Sequence, residues 1–116
     1  MGSARARGAA GEALAAVFLE LIGCRVVARN PRVGGVEVDL IVSDGAARVL
    51  VEVKLRGRSD YGGAALAVDH VKQARLLRAA RALAVEGPGP VRIDVLAIEL
   101  TGEGATLRHY RNAVTE

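Results

Sequence analysis

Residues 36–54 constrain this chain more than any other part of it. Two runs of valine, isoleucine and leucine flank Asp44-Gly45, and Asp-Gly between apolar runs is a strong local signal for a two-residue hairpin turn. With Asp44 and Gly45 as the loop, Ser43 faces Ala46, Asp39 faces Leu50 and Glu37 faces Glu52. Opposed residues of an antiparallel pair share a face. Glu37, Asp39, Glu52 and Lys54 then lie on one face, and Val36, Val38, Leu40, Val42, Val49, Val51 and Val53 fill the other. A slip of one residue would send Glu52 and Lys54 into the apolar face, so the pattern favours the short turn.

Carboxylates held on adjacent strands can seat a hard divalent cation. Magnesium takes oxygen ligands at about 2.1 Å and keeps several waters, so two carboxylates and a substrate phosphate suffice. Lys54, two residues past Glu52, points the same way and can orient a water or neutralise charge on a phosphate. Charged outer faces are also ordinary in antiparallel sheets, so the face alone leaves a simple solvated surface as the alternative.

At 116 residues the chain fits one domain, expected over 8–116 after a flexible start at 1–7. Aromatic residues are 3% of the sequence, so the core has to be built from Ala, Val, Leu and Ile. A formal net charge of +3 permits a polyanionic partner without demanding one. The distribution says more: Lys54, Arg56, Arg58, Lys72, Arg75, Arg78 and Arg81 face only Asp60 and Asp69 across residues 54–81. Cys24 is the sole cysteine, which excludes an internal disulfide and points to the cytoplasm; it reads as a small apolar strand residue rather than a nucleophile. No run reaches the length of a membrane span, and Glu12 and Glu20 interrupt the signal-like start, so no membrane association is expected.

Taken in order, helical spacing covers residues 8–22, with Gly23 as the stop and Glu12 able to reach the rim of the carboxylate face. Residues 25–30 read as a strand stopped by Asn30-Pro31, and residues 32–35 as a turn. After the hairpin comes a loop over 56–65, and Asp69 is placed to cap a helix to about Val85. Val71, Ala74, Leu77, Ala80 and Leu83 or Ala84 form its expected buried side, with Lys72, Arg75, Arg78 and Arg81 opposite. Gly87-Pro88-Gly89-Pro90 ends it. Residues 91–100 are nearly all apolar, the pattern of an interior strand, and strand–helix–strand connectivity makes it parallel to the strand of Glu52. Residues 105–110 form a last edge strand on which His109 is expected at the surface. Two histidines in the whole chain, His70 and His109, exclude a histidine-rich zinc site.

The order helix, strand, strand, strand, helix, strand, strand, with Asp39 on one hairpin strand and Glu52-Val53-Lys54 on the next, resembles the restriction-endonuclease-like core and its PD-(D/E)XK signature. The fold class implied is α/β, a mixed sheet flanked by two main helices. Longer stretches sharpen this: Gly8-Ala9-Ala10-Gly11-Glu12-Ala13-Leu14-Ala15, Ala28-Arg29-Asn30, Glu37-Val38-Asp39-Leu40-Ile41, Val51-Glu52-Val53-Lys54-Leu55-Arg56, Lys72, Arg92-Ile93-Asp94-Val95 and Arg111-Asn112-Ala113 closely resemble the bacterial YraN family. That family is similar in fold to archaeal Holliday-junction resolvases. The resemblance implies Asp39 and Glu52 as metal ligands, Lys54 as catalytic lysine, Glu12 as a first-helix acid and Glu37 as a support. It implies magnesium, or manganese in its place, and hydrolysis of phosphodiester bonds in branched or structured DNA, with RNA kept open. Arg56, Arg58, Lys72, Arg75 and Arg78 are the expected nucleic-acid contacts. A nucleic-acid-binding module or an interaction subunit without efficient catalysis is the competing expectation. A homodimer formed through the last edge strand or the Tyr61 loop is expected by analogy with resolvases. Val36, in place of a glycine, and the missing tyrosine near the end of the second helix depart from the family pattern and bear on substrate fit.

Overall fold

A computed structural model describes residues 4–56 and 69–116, with side chains described for 8–55 and 69–116. The expected loop contacts at Arg58 and Tyr61, and the side chain of Arg56, lie outside the described residues. Helix α1 runs Ala4–Leu21, followed by β1 (Arg25–Arg29), β2 (Arg32–Val33), β3 (Val36–Glu37), β4 (Leu40–Asp44), β5 (Ala47–Arg56), α2 (His70–Val85), β6 (Val91–Thr101) and β7 (Gly104–Tyr110). The helix α1 starts four residues ahead of the expected Gly8, because Ala4–Arg7 alternates two good helix formers and simply extends the coil-to-helix propagation.

Five strands form one mixed sheet in the order β1-β4-β5-β6-β7. All neighbours are antiparallel except β5 and β6, which are parallel. The α2 crossover therefore joins parallel strands, as the connectivity requires. A period of two along β4, β5 and β6 sends alternate residues to opposite faces. Leu40, Val42, Val49, Val51, Leu96 and Ile98 pack with Ala15, Ala16 and Leu19 of α1. On the other face Ile41, Leu50, Ile93 and Val95 pack with Leu76, Ala79 and Leu83 of α2. Both faces are covered, so the acidic face is not the solvated surface of a two-sided sheet.

Three local expectations are corrected. Residues 36–43 do not form one strand: β3 pairs with β2 as a separate two-stranded hairpin, and the chain bends at Val38-Asp39 before β4. The cause is Gly34-Gly35, both at positive φ (58° and 78°), which is the backbone of a type I′ turn. Val36 and Val38 consequently join the α2-side core, not the face of Leu40 and Val42. The main hairpin turns at Gly45-Ala46, with Asp44 paired to Ala47 and Ile41 to Leu50. Gly45 at φ 59° supplies the positive φ that a type II′ turn needs at its first loop position. The register is thus two residues from the expected one, and a shift of two leaves each side chain on its own face.

The third correction concerns α2. Asp69 caps it as expected, its side chain accepting from the Lys72 N–H at 2.8 Å. Leu83 is buried as expected and Leu77 and Ala80 pack at the margin of the core, but the buried stripe is Leu76, Ala79 and Leu83, while Val71 is 66% exposed. Alanines on every side of this helix leave its apolar direction weakly marked, and the larger Leu76 and Leu83 decide it. Lys72 lies four residues before Leu76 and so heads the buried stripe instead of facing away from it.

Candidate functional site

Asp39 occupies the bend between the small hairpin and β4. Its Oδ2 accepts the Val53 N–H at 2.8 Å, so the side chain extends the β4–β5 ladder one step past its last pair, Leu40 and Val51. Glu52 lies opposite this step and points to the α2 side, where it is only 4% exposed. Two carboxylates thus meet where the sheet passes beneath the start of α2. Burial, and next the neighbouring Glu52 charge, push the Asp39 carboxyl up to about 6 from an ordinary 3.8; a lowered dielectric and a like charge both disfavour its ionised form.

Lys72 reaches down from the first turn of α2 and pairs its Nζ with the Glu52 carboxylate. Its own pKa is raised: burial works against the ammonium, but the hydrogen bond and charge of Glu52 more than offset it. Sequence reasoning placed Lys72 among nucleic-acid contacts and missed this role, which follows from the rotation of α2. Lys54 is half-buried on β5, on the same side as Glu52 by strand alternation. Glu12 of α1 accepts from Asn30 Nδ2 at 3.0 Å, and the Asn30 N–H donates to the Asp39 carbonyl at 2.9 Å. Asn30, at φ 51°, therefore ties Glu12 to the acidic bend, a link for which the only sequence signal is the Asn-Pro stop.

Glu37 is not opposite Glu52. It is exposed on β3, paired with Arg32 across the small hairpin. An open groove of about 530 Å³ runs between this hairpin and α2, lined by Arg32, Glu37, Lys72, Arg75 and Arg78 among others. Three of the expected nucleic-acid contacts, Lys72, Arg75 and Arg78, are brought together there. Among the described residues no group of three or more His, Cys, Asp or Glu side chains converges to hold a metal. The hard-oxygen pair Asp39 and Glu52 nevertheless fits a divalent cation that keeps waters of its own, since one of the two acids is buried and already draws an ammonium.

A second ionic cluster lies on the α1 side. Asp94 is 1% exposed on β6 and accepts from Arg92 Nε (2.9 Å), from the Asn112 N–H (2.9 Å) and pairs with His109 Nε2 (2.8 Å). Arg92 also binds Asp44 at 2.8 Å. Burial would raise the Asp94 carboxyl, but Arg92, the Asn112 amide and His109 hold it below the ordinary carboxylate value. His109 is not a surface residue: its side chain is 10% exposed and meets the Phe18 ring edge-on at 6.0 Å. Arg92 and Asp94, two residues apart in a mostly apolar interior strand, were the signal for this cluster.

The fold and site define a small α/β protein, a mixed five-stranded sheet between two helices with a carboxylate pair at one end of its central strands. Residues 11–98 match the family model described as "Uncharacterised protein family UPF0102", and the chain belongs to this family, the one the YraN-like motifs indicate. It is 44% identical over 95 residues to a UPF0102 protein of Halorhodospira halophila, covering 82% of this chain and 78% of that protein. A UPF0102 protein of Symbiobacterium thermophilum is 46% identical, over 84% of this chain and 85% of its own length, and one of Xanthomonas campestris pv. campestris is 40% identical, over 92% and 89%. Among solved structures, Pyrococcus furiosus SfsA in complex with Ca2+ aligns with a TM-score of 0.46 at 19% identity, covering 97% of this chain and 65% of that one. No described helix is long and apolar enough to cross a membrane.

Proposed function

We propose that this chain is a metal-dependent nuclease with a restriction-endonuclease-like core, hydrolysing phosphodiester bonds in DNA. The observation that carries the reading is the adjacency of Asp39 and Glu52, one of them buried, with Lys54 two residues along β5 on the face of Glu52 and the Lys72–Arg75–Arg78 groove leading away. Asp39 and Glu52 would hold a magnesium or manganese ion, which when bound supplies activation of a water and stabilisation of phosphate charge. The Val53 amide fixes the Asp39 carboxylate, and burial under α2 fixes Glu52, so neither acid has to be ordered when substrate arrives. Lys54 bears positive charge toward the attacked phosphate. Arg75 and Arg78 hold the neighbouring backbone, and Glu12 acts through Asn30 on the position of the Asp39 bend.

The Lys72–Glu52 ion pair supports a second reading, a nucleic-acid-binding module without turnover, because an internal ammonium can neutralise the buried acid with no metal. Cleavage of linear, flapped and four-way DNA with magnesium or manganese separates the two. Wild-type protein is expected to cut at least one substrate, and Asp39→Ala and Glu52→Ala to lose that activity by at least a hundredfold while still binding DNA. No cleavage across the panel, or cleavage that persists in both variants, leaves the binding module.

A further inference from the structure

The groove between the β2–β3 hairpin and α2 has a wall that no reading of the helix alone supplies. Gly34 holds the hairpin against the helix: a Cβ at Gly34 would lie 2.9 Å from the Ala82 Cβ and 3.5 Å from the Arg78 carbonyl oxygen. Contact this close makes the hairpin a fixed surface. It carries Arg32 on one strand, with the guanidinium steadied over its own turn by a 3.2 Å hydrogen bond from Nη2 to the Gly35 carbonyl. Across the groove, Lys72, Arg75 and Arg78 recur every three residues, and from 72 to 78 the helix rises about 9 Å. Four cations thus line one channel, whose acids are Glu37 and Asp69; Asp69 already spends one oxygen on the Lys72 N–H. The lining contains no aromatic side chain among the described residues, so it has no platform on which bases would stack.

We infer that this groove is a binding site for the sugar-phosphate backbone of a single nucleic-acid strand, clamped between Arg32 of the hairpin and Arg75 and Arg78 of α2, with its bases turned outward and unread. A groove of about 530 Å³ admits a backbone of a nucleotide or two. Lys72 stands at the head of the groove and also touches Glu52, so the bound strand runs directly from the acidic pair along α2. The inference rests on the nuclease reading only for that direction, and the groove binds with or without turnover.

The test is fluorescence anisotropy with dT12 and dA12 oligonucleotides in EDTA across a salt series, with metal uptake by Asp39 and Glu52 followed separately by calorimetry. Arg32→Ala with Arg78→Ala should weaken both oligonucleotides alike, and should lower the log-log salt slope by about 1.4, two phosphate contacts at roughly 0.7 each for single strands. Arg25→Ala removes equal charge per site at the far end of the sheet, opposite Ser43, and should leave the slope within about 0.2 of wild type. Glu37→Gln should tighten binding. An unchanged slope in the double variant, or an equal loss in Arg25→Ala, overturns the groove while leaving metal uptake and the nuclease reading intact. Strong discrimination between dT12 and dA12 overturns the statement that bases are unread. Failure of wild type to bind either strand overturns the groove, and failure to take up metal overturns the nuclease reading instead.

Discussion

Lys72 and Asp39 set the chemistry of the acidic pair in opposite senses. The Lys72 ammonium pairs with Glu52 Oε2, an oxygen a divalent cation would use, so the two compete for Glu52. With Lys72 about half exposed, its hold is at the modest end for ion pairs, about 0.2 to 1 kcal/mol. Lys72→Met should therefore tighten calcium or manganese binding by up to about fivefold in calorimetry; weaker binding would mean that Lys72 supports the ion and does not compete with it. Asp39 carries a pH signature. Its folded pKa of about 6 lies above the ordinary 3.8, so between these values the folded protein binds more protons than the unfolded chain. Stability from this group is present below pH 4, falls as pH rises through 6 and stays lost above. Asp39→Asn keeps an acceptor for the Val53 N–H and removes the charge. In metal-free buffer it should melt a few degrees above wild type at pH 8, roughly 1 kcal/mol after allowance for partial solvation, and level with it at pH 4. Equal melting of the two proteins at pH 8 would show that the acid pair carries no such penalty.

At the scale of elements, the small hairpin is the piece that turns an acidic sheet end into a groove. Gly34 has φ 58° and no room for a Cβ beside Ala82, so Gly34→Ala carries both a left-handed backbone cost of about 1 kcal/mol and a steric clash. It should lower the melting temperature by several degrees, and Ala82→Gly in the same chain should recover the steric part; additive losses in the double-mutant cycle would mean the contact is not what positions the hairpin. This element also shows where the sequence was legible. Asp44-Gly45 marked the main hairpin, and the parity of β4 and β5 was enough to place Asp39, Glu52 and Lys54 even though the turn lies one residue later, because a two-residue register change preserves faces. Gly34-Gly35 was an equally good turn signal between Val33 and Val36. The turn over 32–35 was legible, but not as the loop of a separate hairpin, because in the long apolar run that follows, the bend at Asp39 leaves no mark of hydrophobicity. The direction of α2 was hidden for a different reason: with alanine on all sides, Leu76 and Leu77 both meet the core, and only the depth of burial, complete for Leu76 and partial for Leu77, distinguishes them. That rotation is what carries Lys72 to Glu52.

For the whole molecule, the Asp94 cluster links parts that the apolar core leaves separate. Arg92 joins β6 to the end of β4 through Asp44, His109 brings in β7 and the Phe18 ring of α1, and the Asn112 amide fastens the chain after β7. A charged group with 1% exposure is tolerated only because these partners satisfy it, and removing the charge leaves Arg92 partly buried and paired with Asp44 alone of its two aspartates. Breaking such a pair costs about 3–5 kcal/mol, a large share of the roughly 5–15 kcal/mol that holds a domain together. Asp94→Asn should therefore lose about that much stability in urea unfolding at pH 7. The pH dependence identifies the cause. Because the folded Asp94 pKa lies below its unfolded value, its contribution is complete above the ordinary carboxylate range and is lost as pH falls through the lower folded value. Wild-type stability should drop toward the variant on the acid side, so that the difference between them shrinks below about pH 4. A loss that stays constant from pH 7 to pH 2 would assign the cost to packing, and the ionic tie between β4, β6 and β7 would have to be given up.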